Sequence, residues 1–191
     1  MKQLVVLASG SGTNFQAILD AIHDGSLHAS VAALVTNNPS AGAIGRAEKH
    51  DIPVHILPNE KQMADDRLFD LLQTIDPDLI VLAGYLRMIP DRLTDRFDKR
   101  IINIHPSLLP KYGGKGFYGL RVHEAVLQAG ETESGCTVHY VNEEYDAGDI
   151  VAQARVPVAD DDTPETLAKK VLRQEHILLP KVIATLLTKK T

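Results

Sequence analysis

Apolar residues along the chain fall into blocks of two kinds. Leu4-Val5-Val6-Leu7-Ala8, Val31-Ala32-Ala33-Leu34-Val35, Val54-His55-Ile56-Leu57, Leu79-Ile80-Val81-Leu82-Ala83 and Ile101-Ile102-Asn103-Ile104 are nearly continuous runs, rich in β-branched side chains. Such runs read as strands buried on both faces, the usual state of a parallel strand. Between them the apolar positions recur at helical spacing. Phe15, Ile18, Leu19 and Ile22 form one helical face with Gly25 as its stop, and further helices are predicted over 41–50, about 61–75 and 91–97. This alternation predicts an α/β fold: a doubly wound, mostly parallel sheet with right-handed crossovers and helices on both faces.

The pattern changes after the Gly-rich loop 113–119 and a helix over 122–128. Cys136 to Val141 and Ile150 to Val158 read as two strands joined by a short acidic loop, an antiparallel pair near the C-terminal edge of the sheet. Thr163 then caps a last helix with Pro164 at its first position. Pro180 is expected to kink that helix, because its ring crowds the carbonyl of His176.

Composition narrows the function classes. A chain of 191 residues suits one domain, and 44% apolar with 24% charged residues is ordinary globular usage. A net charge of −5 argues against a nucleic-acid partner and means that an anionic substrate needs a local positive site. The single Cys136 excludes a disulfide framework and reads as core, since it lies inside a predicted strand with no base beside it. His23, His28, His50, His55, His139 and His176 show no metal-ligand pattern, so no metal is expected. No run approaches the roughly 18 apolar residues of a membrane span, and the start is too short for a signal peptide. The chain is read as cytoplasmic, with no membrane partner.

Four segments carry candidate chemistry. Gly10-Ser11-Gly12-Thr13-Asn14 links a buried strand to a helix. Glycines allow close backbone approach, and free N–H groups at a helix start attract anions. The spacing matches neither GxGxxG nor a Walker loop, so one phosphate fits better than a dinucleotide or triphosphate; taken alone the loop is equally a tight turn. Asn103 and His105 sit two apart at the carboxyl end of a strand, on one face, where open α/β sheets hold their ligands. In the acidic loop Asn142 to Asp149 a carboxylate near His105 would favour the imidazolium, but spacing does not choose Asp146 over Glu144 or Asp149. Leu82 to Pro90 offers an apolar slot with exposed backbone groups, suited to a flat heteroaromatic ring.

At these residues the chain resembles the folate-dependent formyltransferase family, in particular its phosphoribosylglycinamide formyltransferases. The likeness rests on Gly10 to Asn14, Ala83-Gly84-Tyr85-Leu86-Arg87, Asn103-Ile104-His105-Pro106-Ser107-Leu108-Leu109-Pro110 and Asp146-Ala147-Gly148, and it runs through Gln174-Glu175-His176. It implies a single formyltransferase domain over 1–191, with a nucleotide-phosphate half to about 100 and a catalytic and folate half beyond. It implies Asn103, His105 and Asp146 as the catalytic set. Gly10, Ser11, Gly12, Thr13 and Asn14 would hold the substrate phosphate, with Glu175 near the glycinamide end. Arg67, Tyr85, Leu86, Arg87, Met88, Ile89 and Asn103 would line the folate pocket. The implied cosubstrate is 10-formyltetrahydrofolate, the partners are small molecules, and the assembly is a monomer or homodimer. One departure stands out: where many members read Pro-Gly and a His-rich stretch after Lys111-Tyr112, this chain reads Gly113-Gly114-Lys115-Gly116-Phe117-Tyr118-Gly119.

In the implied reaction the glycinamide amine attacks the formyl carbon. Asn103 is expected to donate an amide N–H to the oxyanion, and His105, kept protonated by Asp146, to donate another and act as general acid. Three alternatives compete. A formyltetrahydrofolate hydrolase would share the catalytic residues but not the phosphate loop. A methionyl-tRNA formyltransferase would need a basic tRNA surface. A non-enzymatic phosphoribosyl- or nucleotide-binding module would bind without turnover.

Overall fold

The computed structural model describes residues 1–188. Its seven-stranded sheet has the order β3-β2-β1-β4-β5-β6-β7, formed by β1 (Lys2–Leu7), β2 (Ala29–Thr36), β3 (Val54–Ile56), β4 (Leu79–Leu82), β5 (Ile101–His105), β6 (Glu133–Tyr140) and β7 (Ile150–Pro157). The first five strands pair in parallel, and β5–β6 and β6–β7 pair antiparallel. This is the predicted mostly parallel sheet with an antiparallel C-terminal edge. Among the described residues no helix is long and apolar enough to cross a membrane.

The continuous apolar runs are explained by what each face touches. On β1, Leu4 and Val6 join Phe15 and Ile18 of α1 (Thr13–His23) and Val171 and Leu179 of α6 (Pro164–Thr188) in one core. Val5 and Leu7 point the other way, into a core with Leu68 and Leu72 of α3 (Lys61–Ile75) and Leu93 of α4 (Asp91–Arg96). Period two therefore sends alternate side chains into two separate cores, and neither face can be polar. Fully burying each of these side chains stabilises the fold by about 1.5–3 kcal/mol.

Element ends follow local chemistry. Glu60 caps α3 by accepting from Gln62 N (2.9 Å) and Met63 N (2.6 Å). Thr163 Oγ1 accepts from Thr166 N (3.3 Å) at the start of α6. That helix continues through Pro180, which is buried, although proline cannot donate to the His176 carbonyl. The helix α2 (Gly42–Glu48) is shorter than the predicted 41–50, and α5 (Leu120–Gln128) and β6 start two and three residues earlier than expected.

After β5 the chain leaves the sheet but is sewn to it. Thr137 Oγ1 on β6 donates to Ser107 O (2.7 Å) and accepts from Leu109 N (3.0 Å) and from Gln153 Nε2 of β7 (2.9 Å). These buried bonds fix the segment that follows His105.

Candidate active site

The carboxyl ends of three parallel strands meet where the strand order reverses, at β1 and β4. Residues 9–12 leave β1, residues 83–89 leave β4, and Asn103 and His105 stand on β5. Ser9 ties the first two segments: its N–H donates to Gly84 O (3.0 Å), and its Oγ accepts from Leu86 N (3.0 Å).

Asp146 reaches the β5 pair from the loop between β6 and β7. Its Oδ2 lies 3.5 Å from His105 Nδ1, and its Oδ1 lies 3.4 Å from Asn103 Nδ2. Gly114 N donates to Oδ2 (2.8 Å), which ties the acidic loop to the Gly-rich one. Of the three acids that spacing left open, only Asp146 meets His105: Asp149 supplies its backbone carbonyl to Tyr140 N (2.9 Å), and Glu144 borders a neighbouring cavity. The backbone at Asp146 is left-handed, with φ 54°.

His105 is 5% exposed. Its Nε2 lies 2.8 Å from the Tyr112 carbonyl oxygen, and a carbonyl can only accept, so Nε2 carries a proton and Nδ1 is the atom turned to Asp146. Burial pushes the His105 pKa below its ordinary value; Asp146 and the bond to Tyr112 O pull upward, and His139 adds to the lowering. The expectation that Asp146 keeps this imidazole charged near neutral pH is therefore corrected: the carboxylate acts in the expected direction, but desolvation outweighs it. Burial also works against ionised Asp146. There it is outweighed by the hydrogen bond from His139, the charge of His105 and the Gly114 N–H, so the carboxyl sits below its usual range.

A second histidine belongs to this cluster. His139 lies opposite Asn103 in the β5–β6 register, with Nε2 3.1 Å from Asn103 Nδ2 and 3.5 Å from Asp146 Oδ1. Metal-ligand spacing does not single it out. The readable signal was its place on a strand predicted to lie near the sheet edge, alternating with apolar residues.

The nucleotide-side candidates lie on α1 and α6. Gly12 is the N-cap of α1 with φ 72°; no side chain caps this end, and the first turn holds no acid. A Cβ at Gly12 would stand 2.7 Å from both Cα and Cβ of Ala43. The glycine is thus required by the packing of α2 against the loop as well as by its backbone conformation, rather than by a ligand alone. Arg46, which the sequence did not single out, donates from Nε to Ser11 O (2.9 Å) and from a terminal nitrogen to Gln16 Oε1 (3.0 Å). Asn14 Nδ2 donates to Glu175 Oε2 (2.6 Å), joining α1 to α6, and burial raises the Glu175 pKa while Asn14 opposes it.

Asn14, Glu175, Tyr85, Leu86, Asn103, His105 and Asp146 line one cavity of about 350 Å³, roofed by residues 114–119. Arg87, Met88 and Ile89 line an adjoining one of about 70 Å³, which shares Tyr85, Asn103 and Asp146. Leu86 and Met88 are exposed at 59% and 42%, while burial pushes the Tyr85 phenol up to about 12. Arg87 turns its guanidinium to Pro58 O (2.8 Å). Arg67 does not join this wall: it lies exposed on α3 beside β3 and Asp70, in a separate cleft. One helical turn along α3 places it on the outer face, a placement that residue type alone does not reveal. The groove of about 760 Å³ between α1 and α6 is larger, but it contains none of Asn103, His105 and Asp146.

The formyl transferase family model matches residues 2–183. A chloroplastic phosphoribosylglycinamide formyltransferase of Arabidopsis thaliana is 47% identical over 190 residues, covering 97% of this chain and 65% of the plant protein. The chain thus spans slightly less than two thirds of that relative's length. The phosphoribosylglycinamide formyltransferase of Haemophilus influenzae is 43% identical over 188 residues, covering 96% of this chain and 86% of its own. The crystal structure of phosphoribosylglycinamide formyltransferase from Bacillus halodurans superposes with a TM-score of 0.90 at 38% identity, covering 98% of this chain and 96% of that one.

Proposed function

The chain belongs to the formyl transferase family, and from that premise we propose that it moves the formyl group of 10-formyltetrahydrofolate to the glycyl amine of 5-phosphoribosylglycinamide, a step of purine biosynthesis. The observation that carries this reading is the convergence in one cavity of Asn103, His105 and Asp146 with Asn14 and Glu175 on one side and Tyr85 and Leu86 on the other. Two small molecules can meet there. The uncapped start of α1 offers the nucleotide phosphate its N-terminal amides, and the half-apolar rim suits the folate ring. Arg87, Met88 and Ile89 extend that rim.

The amine is itself a good nucleophile, so the protein's work is positioning and charge stabilisation. Attack on the formyl carbon gives a tetrahedral oxyanion. His105 has Nε2–H occupied by Tyr112 O, so the proton offered to the reacting oxygen, and then to the departing folate nitrogen, is carried on Nδ1. Asp146, 3.5 Å from Nδ1, favours that protonated state. The proton released by the attacking nitrogen passes to water. The partners are these two small molecules, the compartment is the cytoplasm, and the assembly is a monomer or homodimer.

The test is purified protein with 10-formyltetrahydrofolate, with and without glycinamide ribonucleotide, followed by folate absorbance. Deformylation that depends on the nucleotide is expected. Equal rates without it assign a hydrolase, and binding of both molecules with no turnover assigns a binding module.

A further inference from the structure

The cavity that brings Asn14 and Glu175 to Asn103 and His105 is poor in positive charge. Its lining holds two carboxyl groups, Asp146 and Glu175, and no arginine among the described residues; besides His105, its one basic side chain is Lys115. The nucleotide assigned to it carries a phosphate, and a chain of net charge −5 does not draw an anion by its overall field. The start of α1 offers backbone amides, whose aligned dipoles amount to roughly half a charge. Neighbouring cations are turned elsewhere. Arg46 directs Nε to Ser11 O (2.9 Å) and a terminal nitrogen to Gln16 Oε1 (3.0 Å). Arg121 lies over the Tyr118 ring, 5.0 Å from its centroid. On α6, the positions that share the Glu175 face at helical spacing are Val171, Leu172, Leu178 and Leu179, all apolar.

Lys115 stands in the roof of the cavity, between Gly114 (φ 90°) and Gly116 (φ 97°). The turn is held on both sides of it. Gly114 N donates to Asp146 Oδ2 (2.8 Å), Phe117 N donates to Gly114 O (3.2 Å), and the Phe117 ring meets Tyr112 edge-on with centroids 6.3 Å apart. The Lys115 side chain is exposed and forms no hydrogen bond or ion pair with the described residues. Its backbone is thus fixed while its ammonium stays unpaired. We infer that Lys115 binds the nucleotide phosphate from the roof, across from the α1 amides, and so selects phosphorylated over unphosphorylated amine substrates. This deepens the transferase reading and rests on it. A lysine serves a phosphate as a point charge with three donors on a flexible stem. Its charge also offsets the repulsion between the phosphate and the Asp146 carboxylate in the same cavity.

The test is calorimetric titration with glycinamide ribonucleotide and with its dephosphorylated riboside, on the unaltered protein, Lys115→Ala and Lys115→Arg; competition against the nucleotide gives the riboside Kd where it binds weakly. The preference for the nucleotide, read as the ratio of the two Kd values, should fall roughly tenfold in Lys115→Ala, the scale of one charge-assisted hydrogen bond. Lys115→Arg should restore most of it. Added salt should narrow the preference more in the unaltered protein than in Lys115→Ala. An unchanged ratio in Lys115→Ala overturns the inference. So does an equal loss for nucleotide and riboside, which marks a structural role for the roof. A loss confined to 10-formyltetrahydrofolate assigns the ammonium to the folate carboxylates and overturns it too. Binding needs no turnover, so the two readings fail separately. If the unaltered protein binds the nucleotide but shows no nucleotide-dependent deformylation, the transferase reading fails; if it deformylates and the ratio holds in Lys115→Ala, only the role of Lys115 fails.

Discussion

Asp146 Oδ2 stands 3.5 Å from His105 Nδ1 while also accepting the Gly114 amide at 2.8 Å. The carboxylate therefore serves two groups, and its closer partner is a backbone N–H. It shifts the charge of His105 through space without gripping the ring, which Tyr112 O holds from the opposite nitrogen.

The sign of that coupling is testable. His105 already titrates below its ordinary value because it is buried. Asp146→Asn removes an upward influence, so the His105 pKa should fall further. Since the protonated form stabilises the oxyanion, activity at neutral pH should drop about a hundred- to a thousandfold at most, with partial recovery on acidification until the substrate amine is itself protonated. NMR titration of His105 in both proteins gives the sign directly; an equal or higher pKa in the Asn variant would remove the electrostatic account.

Two glycines of the first loop should behave differently. A Cβ at Gly10 meets nothing within 4 Å, whereas at Gly12 it meets Ala43 at 2.7 Å on a left-handed backbone. Gly10→Ala should raise the KM for the nucleotide and leave thermal stability within about 0.5 kcal/mol. Gly12→Val should lose roughly 2–4 kcal/mol, seen in denaturant unfolding, so its kinetic defect cannot be read as phosphate contact alone. Stability loss at Gly10 or none at Gly12 would reverse the assignment.

Arg67 and Arg87 separate likewise. Arg87 borders the cavity at the β4 end, and Arg67 does not. Arg87→Ala should raise the folate KM several-fold, by about 1 kcal/mol or more of lost binding. Arg67→Ala should change it less than twofold. A larger effect at Arg67 would show that folate reaches the α3 surface.

His123 supplies a pH dependence of stability. It is 3% exposed with Nδ1 unpartnered, and burial lowers its pKa to about 4 from 6.5, with a smaller contribution from His105. The unfolded chain takes up this proton first as pH falls, so the stability contributed by neutral His123 is present above pH 6.5 and is lost on descending to about 4. The loss is at most about 3 kcal/mol. Urea midpoints across this window should slope less in His123→Leu than in the unaltered protein; parallel slopes would place the titration elsewhere.

The parallel half of the sheet was legible because burial on both faces leaves an unbroken apolar run, as in Leu4 to Ala8. The pairing of Asn103 with His105 was legible from period two. Other features depend on distance in sequence. His139 meets Asn103 only through an antiparallel register, and a one-residue slip would turn it to the other face. The choice of Asp146 over Asp149 depends on an irregular loop whose path no periodicity encodes. The demand for glycine at 12 comes from Ala43, thirty-one positions on, so a reading confined to the loop credits the ligand with what packing requires.

The left-handed backbone at Asp146 (φ 54°) narrows what this position can become. Glycine, asparagine and aspartate enter that conformation with least penalty, and of these only aspartate is an anion. Glutamate would keep the charge but resist the turn, and alanine would lose the charge and strain the turn together. Asparagine keeps the backbone while deleting the charge, so it is the one replacement in which a kinetic change reports the carboxylate alone. For sequence variation the same facts act as a two-key lock: chemistry and main-chain geometry must both be met, and among single substitutions no other ionisable side chain turns both keys.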